Sequence, residues 1–340
     1  MAGDKPLLRV DGLTVDIPTA DGMLHAVRGI DFSLKRGETF CIVGESGCGK
    51  SLTALALMGL LPRRALRSAR ELSFDGIDLL KLGREQTRKL CGNRMSMIFQ
   101  EPMTSLNPAF TIGDQIMDVL HQHRGAGRAE ARERAVHLLD RVGISAPRSR
   151  LRQYPHELSG GLRQRMLIAM ALMCGPDLLL ADEPTTALDV TIQAELLRLL
   201  AELQSEFGMG MVFITHDLGL VSRIADRVAV MYAGRIVETG SVEQIFDDPL
   251  HPYTQGLLAC LPVPGRRPHM GRLSSIPGIV PSPIGESRGC GFRDRCLFAR
   301  EACALDSVPL ESAGQDHDYL CVRAPPESRA GRLVVEAVEA

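Results

Sequence analysis

The string Gly44-Glu-Ser-Gly-Cys-Gly-Lys50-Ser51 constrains this 340-residue chain more than any other feature. It matches the eight-residue phosphate loop, G-x-x-x-x-G-K followed by Ser or Thr. Thr39-Phe-Cys-Ile-Val43 precedes it and reads as a strand, and a helix is expected from about Gly49 to Leu60, ended by Pro62. The motif needs that strand-to-helix setting. Gly44, Gly47 and Gly49 let the backbone N–H groups of the loop, through Glu45, Ser46 and Cys48, turn inward around phosphate oxygens. The start of the following helix adds a favourable dipole. Lys50 would place a point charge on the β- and γ-phosphates, and Ser51 would hold Mg²⁺. Only five of the 39 basic residues are lysines, so a lysine at this position is not background. Cys48 reads as a small filler inside the loop.

Three further elements bear chemistry. Leu178-Leu-Leu-Ala-Asp182-Glu183 is a buried-strand pattern that delivers two carboxylates to its C-terminal edge, where open α/β sheets place their sites. Asp182 would hold Mg²⁺ through water, and Glu183 could orient or deprotonate an attacking water. Leu158-Ser159-Gly160-Gly161-Leu162 precedes an apolar-periodic helix. Ser159 suits an N-cap, and Gly160 and Gly161 permit close approach of an anion to free N–H groups. One nucleotide does not need two such elements, so the simplest arrangement is a dimer in which each copy of the second element covers the partner's nucleotide. His216 follows the strand Met211-Val-Phe-Ile-Thr215 and could contact a γ-phosphate.

The chain around these elements alternates strands with helices from 158 onward, which implies a parallel sheet covered on both faces. Alternating segments at Leu7–Ile17 and Ile30–Leu34 read as strands, Ala129–Val142 as an amphipathic helix, and the basic run at 63–70 as a solvated loop. After about 255 the texture changes to Pro, Gly and Cys. The formal charge of −2 argues against a protein whose partner is a nucleic-acid backbone. The longest apolar run, Met166 to Cys174, has nine residues where a spanning helix needs about 20, and no secretory signal is expected in the opening residues.

In order and spacing, the phosphate loop, Gln100, LSGGL, LLLADE, Ala187-Leu188-Asp189 and His216 resemble the ATP-binding subunit of an ABC transporter over about residues 7–250. The resemblance implies a P-loop NTPase fold of α/β class. Its parts would be a RecA-like core sheet, an N-terminal antiparallel β subdomain, a helical subdomain at about 102–160 and a small Cys-rich C-terminal extension. The ATPase domain would occupy 1–255 and the extension 256–340. It makes Gln100 the glutamine that senses Mg²⁺ and the membrane subunits, and Glu183 the catalytic base. Asp189 becomes the D-loop aspartate, His216 the switch histidine, and Ser159, Gly160 and Gly161 a signature acting on the partner's ATP. Two positions depart from the family pattern. Leu162 stands where Gln is usual, and no aromatic residue precedes Phe32 to stack on adenine, leaving Ile17 or His25 to pack there.

Gln100-Glu-Pro-Met-Thr-Ser-Leu-Asn-Pro108 and His251-Pro-Tyr-Thr-Gln-Gly-Leu257 are similar to the oligopeptide/dipeptide importer branch, specifically its "D" type of ATPase subunit. That branch implies a second ATPase subunit, two membrane permeases and an extracytoplasmic solute-binding protein. It also implies a peripheral position at the cytoplasmic face of the bacterial inner membrane. The strings are shared with importers of nickel and other small solutes. A soluble ABC ATPase of DNA repair or translation is the rival class; the single phosphate loop and the absence of sustained heptads speak against it. Cys290, Cys296, Cys303 and Cys321 lack the C-x₂-C spacing of zinc ribbons. The string Gly289-Cys290…Arg295-Cys296…Cys303…His317…Cys321 also resembles that importer branch, and the resemblance together with the spacing implies a 4Fe–4S cluster on these thiols, with zinc or free thiols as alternatives and His317 as a possible substitute ligand.

Overall fold

The computed structural model describes residues 5–186, 189–261, 275–285, 288–305 and 307–325. It comprises two compact units, each assembled from separated stretches of chain. Of the described residues, the first takes 5–8, Ser33–Thr39 and Ser73–Ile214; the second takes Arg9–Phe32, Phe40–Leu72 and those from Thr215 to 325.

In the first unit, Met95–Ile98, Leu178–Asp182 and Gly210–Thr215 run parallel, with Met95 opposite Leu178 and Leu178 opposite Gly210. Every side chain of Leu178–Asp182 is buried, as a continuous apolar run requires in a strand covered on both faces. Helices Ile112–Arg124, Arg128–Arg141 and Gly160–Ala171 form the helical part. Ile112, Ile116 and Leu120, spaced by one helical turn, are the buried stripe of the first, which Thr111 caps by accepting from the Asp114 N–H. Arg165 of the third donates to the Val142 carbonyl at 2.6 Å, beyond the end of the second. Arg94 donates to Asp75 at 2.5 Å and Asp177 at 2.7 Å, so one guanidinium fork ties two acidic loops together.

In the second unit, Thr39–Val43 pairs in parallel with Arg227–Tyr232, which continues antiparallel to Arg235–Ser241. Asp318–Leu320 and Leu310–Ser312 then extend this ladder, so the Cys-rich tail contributes strands of its own. Leu8–Thr19 and Gly22–Leu34 form the N-terminal hairpin.

Three local expectations are corrected. The helix after the phosphate loop spans Lys50–Met58, because Gly59 adopts φ 66° and returns its N–H to the Leu55 and Ala56 carbonyls. That left-handed cap stops the helix before Pro62 is reached. The second N-terminal strand begins at Gly22 rather than Ile30; Arg28-Gly29 interrupts the alternation in sequence while the strand continues. The basic run at 63–70 holds a short strand, Leu66–Ser68, paired with Thr14–Asp16. Its Arg70 donates to both Asp11 and Asp31, so part of that charge is neutralised within the fold.

The tail is anchored by a buried polar centre. The Glu238 carboxylate, 1% exposed, accepts the N–H groups of Leu250 at 2.7 Å and His251 at 2.9 Å. His317 pairs with the same carboxylate through Nε2 at 2.9 Å. Leu250, Tyr319 and Cys321 pack together beside it. Among the described residues no helix is long and apolar enough to cross a membrane. Replacing Glu238 by Ala strands two buried amides and an imidazole, and should lower unfolding stability by about 3 kcal/mol. Urea unfolding followed by near-ultraviolet tyrosine circular dichroism would read that loss.

Candidate active site

The phosphate loop belongs to the second unit. Its geometry depends on two close backbone approaches. A Cβ on Gly44 would stand 2.1 Å from the Met231 carbonyl oxygen, and one on Gly49 would stand 2.3 Å from that of Ala26. Gly49 also has φ 105°, a conformation that side chains strain. Gly47 differs from both: a Cβ there would meet nothing within 4 Å, and its φ of 80° alone accounts for the glycine. Ser46 and Gly47 are exposed at the tip of the loop. Lys50, 4% exposed, donates from Nζ to the Gly44 carbonyl at 2.7 Å and the Glu45 carbonyl at 2.9 Å. The ammonium is thus held within its own loop. Cys48 is 1% exposed, and burial pushes its thiol up. It fills space beside Lys50, with Sγ 3.8 Å from Nζ. Ser51 lies in the first turn of the helix.

Glu45 points in a direction that sequence reasoning missed. Its N–H donates to the Tyr253 hydroxyl at 2.9 Å, and its carboxylate receives both arms of Arg295 at 2.6 and 3.0 Å. Arg295 is raised by that hydrogen bonding despite its partial burial. Tyr253 belongs to the His251-Pro-Tyr253 string, whose role is now physical. His251 accepts the Tyr253 N–H on Nδ1 and caps the helix Pro252–Ala259. Burial lowers its pKa to about 3, so it stays neutral. Tyr253, Tyr232 and Phe292 form one aromatic cluster with centroids 4.6 to 5.3 Å apart. The only sequence signal for Arg295 was its position beside Cys296.

The first unit brings Gln100 and Glu183 together. Gln100 Nε2 donates to Glu183 Oε2 at 3.1 Å, and the Thr186 hydroxyl donates to the same oxygen at 2.9 Å. Glu183 adopts φ 44° and is 9% exposed, with its N–H on the Ile214 carbonyl. A non-glycine residue in that region carries backbone strain, which the surrounding ladder holds in place. Asp182, 4% exposed, ends its strand. Asp182 and Gln100 in the first unit, and Ser51 in the second, each carry an oxygen donor of the kind Mg²⁺ takes.

Ser159 caps Gly160–Ala171 by accepting the Leu162 N–H at 3.4 Å, and both Ser159 and Gly160 are exposed. Asp189 sits exposed at the N-cap of Val190–Phe207 and makes no capping bond with its side chain; Ala187 and Leu188 lie outside the described residues. His216 is exposed at the end of Gly210–Thr215. His25 rests 2.6 Å from Asp16, and Ile17 is half-buried.

The four late thiols are neighbours. Burial pushes Cys290, Cys296 and Cys321 up, Cys296 to about 11, and nearby thiols of the same set push them further. Backbone hydrogen bonds from Phe292, Phe298 and Arg323 oppose part of that rise at Cys290, Cys296 and Cys321. Among the described residues, however, no group of three or more His, Cys, Asp or Glu is arranged to hold a metal ion. His317 is committed to Glu238.

The phosphate loop of the second unit, leading from a buried strand into a helix, and the Gln–Glu pair of the first, at the C-terminal edge of parallel strands, are each features of an ATP-hydrolysing cassette. Residues 27–186 match the ABC transporter family, and 237–303 match the oligopeptide/dipeptide transporter C-terminal region. A putative peptide import ATP-binding protein of Brucella abortus is 51% identical over 94% of this chain and 97% of its own length. The dipeptide transport ATP-binding protein DppD of Escherichia coli is 47% identical over 93% and 96%. The chain belongs to this family of ABC transporter ATP-binding subunits. Among solved structures, a dimeric ATP-binding cassette in a post-hydrolysis state with ADP and Pi is 26% identical, with TM-score 0.63 over 69% of this chain and 98% of that one. The cassette cbiO1 of Clostridium perfringens is 29% identical, with TM-score 0.61 over 72% and 91%.

Gly49→Ala drives a Cβ into the Ala26 carbonyl. It should weaken ATP binding by about 100-fold or more, while far-ultraviolet circular dichroism stays close to native. Titration with a fluorescent ATP analogue would measure this.

Proposed function

We propose that this chain energises the import of di- and oligopeptides as one of two different ATPase subunits. The pair would associate with two membrane permeases and an extracytoplasmic solute-binding protein, at the cytoplasmic face of the bacterial inner membrane. The names of its relatives and the match of its C-terminal region support the peptide cargo, and with it a transporter that has permeases and a solute-binding protein. The cassette would occupy about 1–255 and the accessory extension about 256–340.

The observation that carries the catalytic reading is the Gln100–Glu183 hydrogen bond. In this reading Glu183 takes a proton from the attacking water, and Gln100 orients the carboxylate while reporting on the permeases. The amides of residues 44–51, from Gly44 through Gly47 and Gly49, and the Lys50 charge bind the phosphates. Ser51, Asp182 and Gln100 would hold Mg²⁺, which neutralises phosphate charge when bound. Ser159, Gly160, Gly161 and Asp189 act on the nucleotide of the partner ATPase; the exposure of Ser159, Gly160 and Asp189 supports that role. His216 contacts the γ-phosphate. Closure on two ATP molecules moves the permeases, and hydrolysis reopens the pair.

Replacing Glu183 with Gln keeps the hydrogen-bond geometry and removes the base. It should leave ATP binding intact and cut turnover by about 100-fold or more; near-normal phosphate release by the purified complex would refute the assignment. Uptake of radiolabelled dipeptide by reconstituted complex separates peptide cargo from nickel or another solute.

The neighbouring thiols and their N–H donors also support a 4Fe–4S cluster on Cys290, Cys296, Cys303 and Cys321. Bound there, it would cross-link a Pro-rich segment. Protein purified without oxygen should be brown, absorbing near 400 nm, and Cys303→Ser should remove the colour. Colourless wild-type protein would leave zinc, measured by elemental analysis, or free thiols.

A further inference from the structure

The strongest arrangement outside the catalytic residues is the grip of the C-terminal region on the phosphate loop. Glu45 is the second residue of that loop, and its carboxylate is 30% exposed. ATP brings about four negative charges to such a cradle, so an unpaired carboxylate one residue from Gly44 would repel it. Arg295 removes the conflict. Its side chain is 5% exposed, and both arms of its fork engage Glu45 at 2.6 and 3.0 Å. The fork is itself fixed: it donates to the carbonyls of Pro277 at 2.8 Å and Ile276 at 3.1 Å. It also lies over the rings of Tyr232 and Phe292, 5.8 and 6.0 Å from their centroids. Tyr253 takes the Glu45 N–H, so backbone and side chain of this residue both turn toward the C-terminal region.

We propose that Arg295 is a positioning residue that sets nucleotide affinity, neutralising the Glu45 carboxylate and holding it against the C-terminal region. The inference rests on the reading of residues 44–51 as the ATP cradle. It gives the C-terminal region a direct role in nucleotide binding. A buried bidentate arginine suits the task because its planar fork is pre-organised and always charged.

The test titrates purified full-length chain with a fluorescent ATP analogue at low salt and again at 0.5 M NaCl. Arg295→Ala should raise the Kd about tenfold at low salt and by less than about twofold at high salt, since added ions screen the freed carboxylate. Arg295→Lys should fall between that variant and wild type. Combining Arg295→Ala with Glu45→Gln should bring the Kd back to within about threefold of wild type, a recovery that a merely structural role of Arg295 would not produce. An Arg295→Ala Kd within twofold of wild type at low salt overturns the proposal, as does a double variant no tighter than Arg295→Ala. If Arg295→Ala does not fold, Glu45→Gln alone decides. Binding at least as tight as wild type supports the proposal, and weaker binding refutes it. Lys50→Ala is the control for the cradle itself: should it bind as wild type does, the cradle reading fails, whatever Arg295 does.

Discussion

Two backbone contacts organise the phosphate loop. Gly44 passes the Met231 carbonyl and Gly49 passes that of Ala26 at distances no side chain could share. Because both neighbours belong to strands, Gly22–Leu34 and Arg227–Tyr232, the loop is wedged between elements of the same unit. The Gly234 N–H on the Cys48 carbonyl, at 2.9 Å, adds a third tie. A cradle for phosphate must present its amides without reorganising, and immobility of this kind supplies that.

Polar chemistry fastens the C-terminal region beside its apolar contacts. Glu238 gathers two amides and an imidazole in a site closed to water. Such a buried carboxylate is tolerable only because each demand on it is met. Arg295 and Tyr253 then carry the same region onto Glu45. The His-Pro-Tyr string is therefore a mechanical link: a neutral capping imidazole, a helix start and a hydroxyl that reaches the phosphate loop.

Glu183 shows a different device. Its left-handed backbone follows directly on the strand that ends at Asp182, and Gln100 and Thr186 fix where its carboxylate sits. The strain at Glu183 is held by the Ile214 carbonyl, a member of the next parallel strand.

Much was legible in sequence because local rules governed it. The phosphate loop, the acid-ended strand and the serine cap of Gly160–Ala171 each follow from residue type at fixed spacing, and so did membership of the ABC family. Helix and strand ends were less legible, since Gly59 capped a helix earlier than Pro62 could and Gly22–Leu34 ran through a break in alternation. The three loop glycines were legible as a set, but not their separate reasons: Gly44 and Gly49 answer to neighbouring carbonyls, Gly47 to its own backbone angle. What only tertiary structure decided are the contacts between residues far apart in the chain: Gln100 with Glu183, His317 with Glu238, and Arg295 with Glu45. Sequence spacing cannot encode these pairings, because a polar contact of this kind is selected by which groups the folded backbone leaves facing each other and by the cost of leaving a buried one without a partner.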